Sequence, residues 1–314
     1  MKKRLFKWLL KNIIWWGGSS LDELLRIEGL TKRYPTFNLT DICFSLEKGC
    51  IMGLIGENGA GKTTLIKLIL NAIEEDEGTI TLFGMDHKKE EIKVKEKIGY
   101  VPAEDYFTAS STLNKHANMI KVFYSDWDDK LFGALCTSWN LPLHQKIYEF
   151  SKGMKTKAML ALALAHRPSL LILDEPTAGL DPVARIEILD ILRQFVENGE
   201  RSIFLSTHTT VDLDKIADFI TLIHKGKLKE SLSVDQIEEK YALIEGDIQA
   251  VEGKEEAFIG FRKGKVKFEG LMLRSTAELF FAEEYIKRPN IEDLLVYTIW
   301  GDKDETSLQI IKSL

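Results

Sequence analysis

The residues best placed to do chemistry lie in two short runs. The first, Gly56-Glu57-Asn58-Gly59-Ala60-Gly61-Lys62-Thr63, fits the spacing G-x-x-x-x-G-K-[ST]. A continuous apolar run over 50–55 precedes it and an apolar-periodic stretch over about 62–73 follows, so the glycine loop sits between an expected buried strand and an expected helix. There, glycines let the backbone curl until successive N–H groups converge on phosphate oxygens, and the helix N-terminus adds its partial positive charge. Lys62 is then placed to bridge β- and γ-phosphates, Thr63 to offer its hydroxyl to Mg²⁺, and Thr64 to complete the phosphate-binding turn. The second run, Leu170-Leu171-Ile172-Leu173-Asp174-Glu175, is an apolar strand ending in acids. Burying carboxylates costs several kcal/mol unless they meet a cation or donors. Asp174 is the candidate Mg²⁺ ligand, and Glu175, one residue on, is placed to orient or deprotonate an attacking water.

Elements able to hold these residues follow from the pattern. Strands are expected over 79–83, 98–101, 170–174, 202–206 and 219–223, separated by helical stretches. The alternation predicts an α/β fold: a P-loop core with a mainly parallel sheet and helices on both faces. Residues 25–33 and 39–46 read as an antiparallel β edge joined at Tyr34-Pro35. Residues 112–165 carry a helical pattern and no strand, which predicts an all-α insertion, and beyond about 234 a charged tail reads as a small C-terminal α/β appendage.

Bulk properties agree with a folded, acidic protein. Of 314 residues, 45% are hydrophobic and 29% charged, which excludes wholesale disorder. The net charge of −6 argues against a general nucleic-acid binder. Cys43, Cys50 and Cys136 have no metal-ligand spacing and read as reduced, cytosolic thiols. No apolar stretch reaches the roughly 20 residues needed to cross a bilayer. Residues 1–16 combine Lys2, Lys3, Arg4, Lys7 and Lys11 with Trp8, Trp15 and Trp16 and no acid. Such a segment suits a membrane-surface helix. Residues 1–20 read equally as a foreign peptide joined by the Gly17-Gly18-Ser19-Ser20 linker, or as translated leader ahead of a start at Leu21.

Further motifs fall in an order that resembles the nucleotide-binding subunits of ABC transporters, over about residues 25–229. Ser151-Lys152-Gly153-Met154 resembles the family's signature Leu-Ser-Gly-Gly-Gln at a helix start, where Ser151 and the Gly153 N–H would meet a γ-phosphate. Lys152 and Met154 depart from it. Ala178-Gly179-Leu180-Asp181 resembles the loop through which two subunits touch, with Asp181 as its acid. Ser206-Thr207-His208 resembles the switch-histidine motif, placing His208 with Glu175 and Lys62 among the catalytic candidates. Tyr34 stands at the interval of the family's adenine-stacking aromatic. In Gly99-Tyr100-Val101-Pro102-Ala103-Glu104 the family's glutamine is replaced by Ala103, and Glu104 is the candidate substitute Mg²⁺ ligand. Val122-Phe123-Tyr124-Ser125-Asp126-Trp127-Asp128 and Arg288-Pro289-Asn290-Ile291-Glu292-Asp293 resemble bacterial ABC-2 exporters, including peptide-antibiotic resistance systems.

Composition, pattern and resemblance together divide the chain into residues 1–20, an ABC ATPase domain over 21–233 with a helical subdomain at about 105–166, and an accessory domain over 234–314. The resemblance also implies ATP and Mg²⁺ as ligands. A second ATP-binding subunit and a separate transmembrane permease would be the partners, placing the chain at the cytoplasmic membrane face, with no nucleic acid. Two other functions remain open: a catalytically weakened regulatory subunit, which Ala103 and the altered signature would fit, and a non-transport ABC ATPase acting on DNA or ribosomes.

Overall fold

The computed structural model describes residues 23–302. Residues 1–20, with their three readings, lie outside the described residues. Four strands form an antiparallel layer: β1 (Glu23–Tyr34), β2 (Phe37–Glu47), β4 (Glu77–Leu82) and the two-residue β5 (Met85–Asp86). The parallel core runs in the order β9, β3, β8, β7, β6, from strands Phe219–His224, Ile51–Ile55, Ser202–Ser206, Leu170–Asp174 and Ile98–Val101. Between the layers, β10 (Lys227–Ser233) pairs antiparallel with β9 and touches β2 at one register position, Lys227 opposite Thr40. The ten strands therefore make one mixed sheet, in which parallel strands occupy half the width rather than most of it.

The continuous apolar runs are explained by burial on both faces. Ile51, Ile55, Leu171, Leu173, Ile203 and Leu205 face one core, while Met52, Leu54, Leu170, Ile172 and Phe204 face the other. The second core is closed by α1 (Lys62–Ile69), which presents Leu65, Ile66, Leu68 and Ile69. This helix ends four residues short of the pattern's limit because Asn71 adopts a left-handed φ of 49° and turns the chain away. A short α2 (Glu91–Glu96) leads into β6.

After β6 the chain is helical. It runs through α3 (Leu113–Ile120), α4 (Asp129–Ser138) and α5 (Lys152–Leu164), capped by the side chains of Thr112, Asp128 and Ser151. Over 158–164 helix α5 is apolar all round because it serves two cores. Met159, Leu160 and Ala163 face the sheet, whereas Ala158, Ala161 and Leu162 face α3 and α4. Helices α6 (Pro182–Val196) and α7 (Thr210–Ile216) cover the first core.

The tail begins with α8 (Val234–Lys240) and forms a four-stranded sheet. Its order is β12, β13, β11, β14, from strands Gly260–Lys263, Lys267–Leu273, Tyr241–Asp247 and Ile286–Lys287. Helices α9 (Arg274–Phe280) and α10 (Ile291–Gly301) complete it. Alternate residues of β11 face different cores: Ala242 and Ile244 join a core internal to the tail, whereas Tyr241 and Leu243, with Leu294 and Tyr297 of α10, join the main one. The tail is thus fastened to the ATPase-like core through shared apolar packing.

Candidate functional site

The glycine loop leaves β3 and opens α1, as its sequence context requires. Gly59 and Gly61 hold φ of 81° and 112°, and a Cβ on Gly61 would fall 2.9 Å from the Phe37 ring. Gly56 is pressed against β9, where a Cβ would come within 2.3 Å of the Ile223 carbonyl. Ala60 N donates to the Glu57 carbonyl, tightening the turn over Asn58 and Gly59. Lys62 is buried, and its Nζ donates to the Gly56 carbonyl at 2.7 Å and the Glu57 carbonyl at 3.2 Å. Burial lowers its pKa below the ordinary lysine value, and the charges of Glu175, Asp174 and Glu57 oppose that shift.

The two runs meet across the end of the sheet. Thr63 Oγ1 donates to Asp174 Oδ2 at 3.3 Å although 111 residues separate them. The other oxygen of Asp174 accepts from Ser206 Oγ at 2.5 Å. Glu175, the residue that leaves β7, has a left-handed φ of 51°. Its N–H lies between the Ser206 carbonyl and hydroxyl, at 3.1 and 3.2 Å. Its carboxylate reaches His208, with Oε2 2.7 Å from Nδ1 and 3.2 Å from the His208 N–H. Asp174 is buried, Glu175 part-buried and His208 more than half exposed, so the acids grade outward from metal-like depth toward solvent.

The donor set suits a hard divalent cation. Asp174 supplies a buried carboxylate and Thr63 a hydroxyl on the same side, both oxygen ligands. Among the described residues no group of three or more His, Cys, Asp or Glu is clustered as for an all-protein metal cage. Magnesium fits that arrangement because it keeps waters and takes phosphate oxygens beside one or two carboxylates.

The remaining candidates lie around a second focus. Ser151 caps α5, accepting from Met154 N, and Gly153 packs so closely that a Cβ would fall 3.0 Å from Ala184 Cβ on α6. Asp181 caps α6, accepting from Val183 N and Ala184 N, both at 3.0 Å, and Gly179 sits beside the Lys152 ammonium. Ser151 and Asp181 are therefore exposed caps of two helix starts joined by the contact of buried Gly153 with Ala184, whereas the contacts of the glycine loop are with β2, β9 and the turn after it. Tyr34 ends β1, partly exposed, with the Lys32 ammonium 5.8 Å from its ring centre. Glu104 is exposed on the loop after β6, next to Asp105, which binds Lys155 of α5 at 3.1 Å.

Three contributors carry no sequence signal of their own. Ser206 holds both Asp174 and the Glu175 N–H, and only its place at a strand end beside the acidic strand hints at this. Arg185, one turn into α6, pairs with the buried Asp212 of α7 at 2.6 Å, joining the helix capped by Asp181 to the helix that follows His208. His224 is buried beside Glu57 of the glycine loop.

Strand, phosphate loop, helix and an adjoining acidic strand end define a P-loop ATPase core. A model of the ABC transporter family matches residues 39–178. "ABC transporter ATP-binding protein YtrB" of Bacillus subtilis (strain 168) is 33% identical over 207 residues, covering 66% of this chain and 70% of that protein. "Bacitracin transport ATP-binding protein BcrA" of Enterococcus faecalis is 32% identical over 231 residues, 70% of this chain and 72% of that one. "Linearmycin resistance ATP-binding protein LnrL" of Bacillus subtilis (strain 168) is 36% identical over 213 residues, 65% and 68% of the two chains. Among solved structures, one titled "Structure of ATP binding subunit of ABC transporter" superposes with a TM-score of 0.63 at 30% identity, covering 68% of this chain and 91% of that one. The chain belongs to the ATP-binding proteins of ABC transporters, an ATPase family, and its relatives include antibiotic-resistance systems.

Proposed function

We propose that this chain is the ATP-hydrolysing subunit of an ABC exporter, which pairs head to tail with a second ATP-binding subunit and drives a separate transmembrane permease. The observation that carries the catalytic part is the 2.7 Å contact between Glu175 and His208, one residue beyond the carboxylate that holds Thr63. In this reading the N–H groups of residues 56–63 and the Lys62 ammonium hold the β- and γ-phosphates, Thr64 adds to the same turn, and Tyr34 stacks on adenine. Asp174 and Thr63 hold Mg²⁺, with Glu104 as a further ligand, and the bound ion supplies charge neutralisation on the phosphates. Glu175 orients a water and takes its proton as the water oxygen bonds to the γ-phosphorus. The bond to the bridging oxygen breaks, and ADP and phosphate leave. His208 holds the Glu175 carboxylate in line.

The pairing is supported by the exposed caps Ser151 and Asp181, an anion-favouring helix N-terminus with an acidic residue on the neighbouring helix start. Ser151 and Gly153 would close over the partner's ATP. Among the described residues no helix is long and apolar enough to cross a membrane, in keeping with a motor held at the cytoplasmic face by its permease. The relatives' names, bacitracin transport and linearmycin resistance, support an exporter of antibiotics. Glu175→Gln, assayed with the permease, is expected to keep ATP binding and lower turnover by roughly 10²- to 10⁴-fold. Turnover equal to that of the unmodified protein refutes the catalytic assignment.

A further inference from the structure

The tail reaches the hairpin that borders the phosphate loop. Helix α10 is clamped at both ends: the Ile291 N–H donates to Asp214 Oδ1 of α7 at 3.4 Å, and Asp302, the residue that ends the helix, is held by Lys229 and by Lys225, whose Nζ donates to the Asp302 carbonyl at 3.1 Å. The helix is also locked to its own sheet backbone to backbone. A Cβ on Gly301 would fall 1.8 Å from the Ile259 carbonyl, and one on Gly260 2.2 Å from the Tyr297 carbonyl. So α10 moves with the tail or not at all.

Lys225 and Lys229 belong to the β9–β10 hairpin, which is itself fastened to the phosphate loop. Gly226 N donates to the Ala60 carbonyl at 3.1 Å, and Gly56 rests on Ile223. Inside that hairpin His224, 2% exposed, stands between two carboxylates: Nδ1 is 2.8 Å from Glu57 Oε1 and Nε2 is 3.6 Å from Asp302 Oδ2. Neither ring nitrogen makes an aligned hydrogen bond, so a small rotation of the imidazole engages one carboxylate more fully at the other's expense. Glu57 is the acid of the phosphate loop, and its charge also acts on Lys62.

We propose that His224 is a positioning residue which ties the Glu57 carboxylate to the end of the C-terminal helix, so that the tail sets the phosphate loop's affinity for nucleotide. The inference rests on the ATP reading of that loop. A loop that accepts polyphosphate gains nothing from a free carboxylate, which repels the incoming charge. Held at the imidazole, Glu57 is kept at the flank of the loop; released, it is free to turn toward Lys62 or the phosphates. Because coupling is reciprocal, nucleotide in the loop tightens the hold on Asp302 and on α10.

The test uses the full chain, a fluorescent ATP analogue with Mg²⁺, and amide hydrogen exchange. His224→Gln is expected to raise the analogue's Kd by roughly 5-fold or more. Asp302→Asn, a surface change that does not endanger folding, should raise it in the same direction, and the two effects should fall short of additivity because they break one chain of contacts. Exchange in 291–301 should slow with nucleotide in the unmodified protein and not in either variant. Unmodified protein that fails to bind the analogue overturns the ATP reading and this inference with it. Binding that is tight and unchanged in both variants, with exchange in the helix indifferent to nucleotide, overturns this inference alone.

Discussion

Replacing Arg185 by alanine isolates what holds α7, the helix after His208, to α6, the helix capped by Asp181. Asp212 is 1% exposed and Arg185 31% exposed on their side chains, and a single contact, Nε to Oδ1 at 2.6 Å, joins them. The second oxygen of Asp212 and the Nη2 of Arg185 have no hydrogen-bond partner, so nothing nearby replaces the arginine once it is gone. Removing one member of a buried pair costs about 3–5 kcal/mol. Arg185→Ala is therefore expected to lose about 3–4 kcal/mol.

Asp212→Asn should cost less, about 1–2 kcal/mol, because the part-exposed guanidinium left behind turns to water. Arg185→Met with Asp212→Leu should recover most of the loss. Urea unfolding of each variant measures these numbers, through the shift in midpoint at constant slope. A loss under about 1 kcal/mol for Arg185→Ala refutes the reasoning.

Other outcomes follow from single contacts. His208→Gln should lower kcat by at least about 10²-fold while leaving the Kd for MgATP within about twofold, since the ring meets the Glu175 carboxylate rather than the phosphate loop; a changed Kd with unchanged kcat contradicts it. Gly226→Ala should destabilise by over 2 kcal/mol or so and weaken nucleotide binding, because φ is 72° and the new Cβ would sit 1.8 Å from the Asn38 carbonyl in the hairpin beside the loop; thermal melting and nucleotide titration check both. Burial pushes His166 down to about 4 from the ordinary 6.5, so between those values the unfolded chain binds more protons than the folded one. That stability, at most ~3 kcal/mol, is complete above pH 6.5 and is lost as pH falls toward 4. His166→Phe, which keeps an aromatic on Tyr124, should flatten the melting profile in that window.

The sequence was legible where one residue's environment repeats along the chain. Strands 98–101, 170–174 and 202–206 are flanked on both faces by core, so every position but Tyr100 and the terminal Asp174 is apolar or small and the run announces itself. The cap at Ser151 was legible for a similar reason, since a side chain that bonds its own helix start needs only local spacing. Strand β10 escaped notice because only Leu232 is buried along Lys227–Ser233, leaving a charged, weakly patterned ribbon. The bonds of Ser206 to the acidic strand end, the Arg185–Asp212 pair and the setting of His224 span 27 to 167 residues of chain, and no local period encodes such meetings. The roles of Tyr34, Glu104 and Asp181 came from resemblance alone.

Glu175 stands in a conformation that glycine tolerates and glutamate does not favour. Holding it there costs about 1 kcal/mol or more, offset by the two Ser206 contacts to its N–H. A search for sturdier versions of this protein, scored by melting temperature alone, would drift toward glycine at this position and would present the loss of the carboxylate proposed to activate water as an improvement.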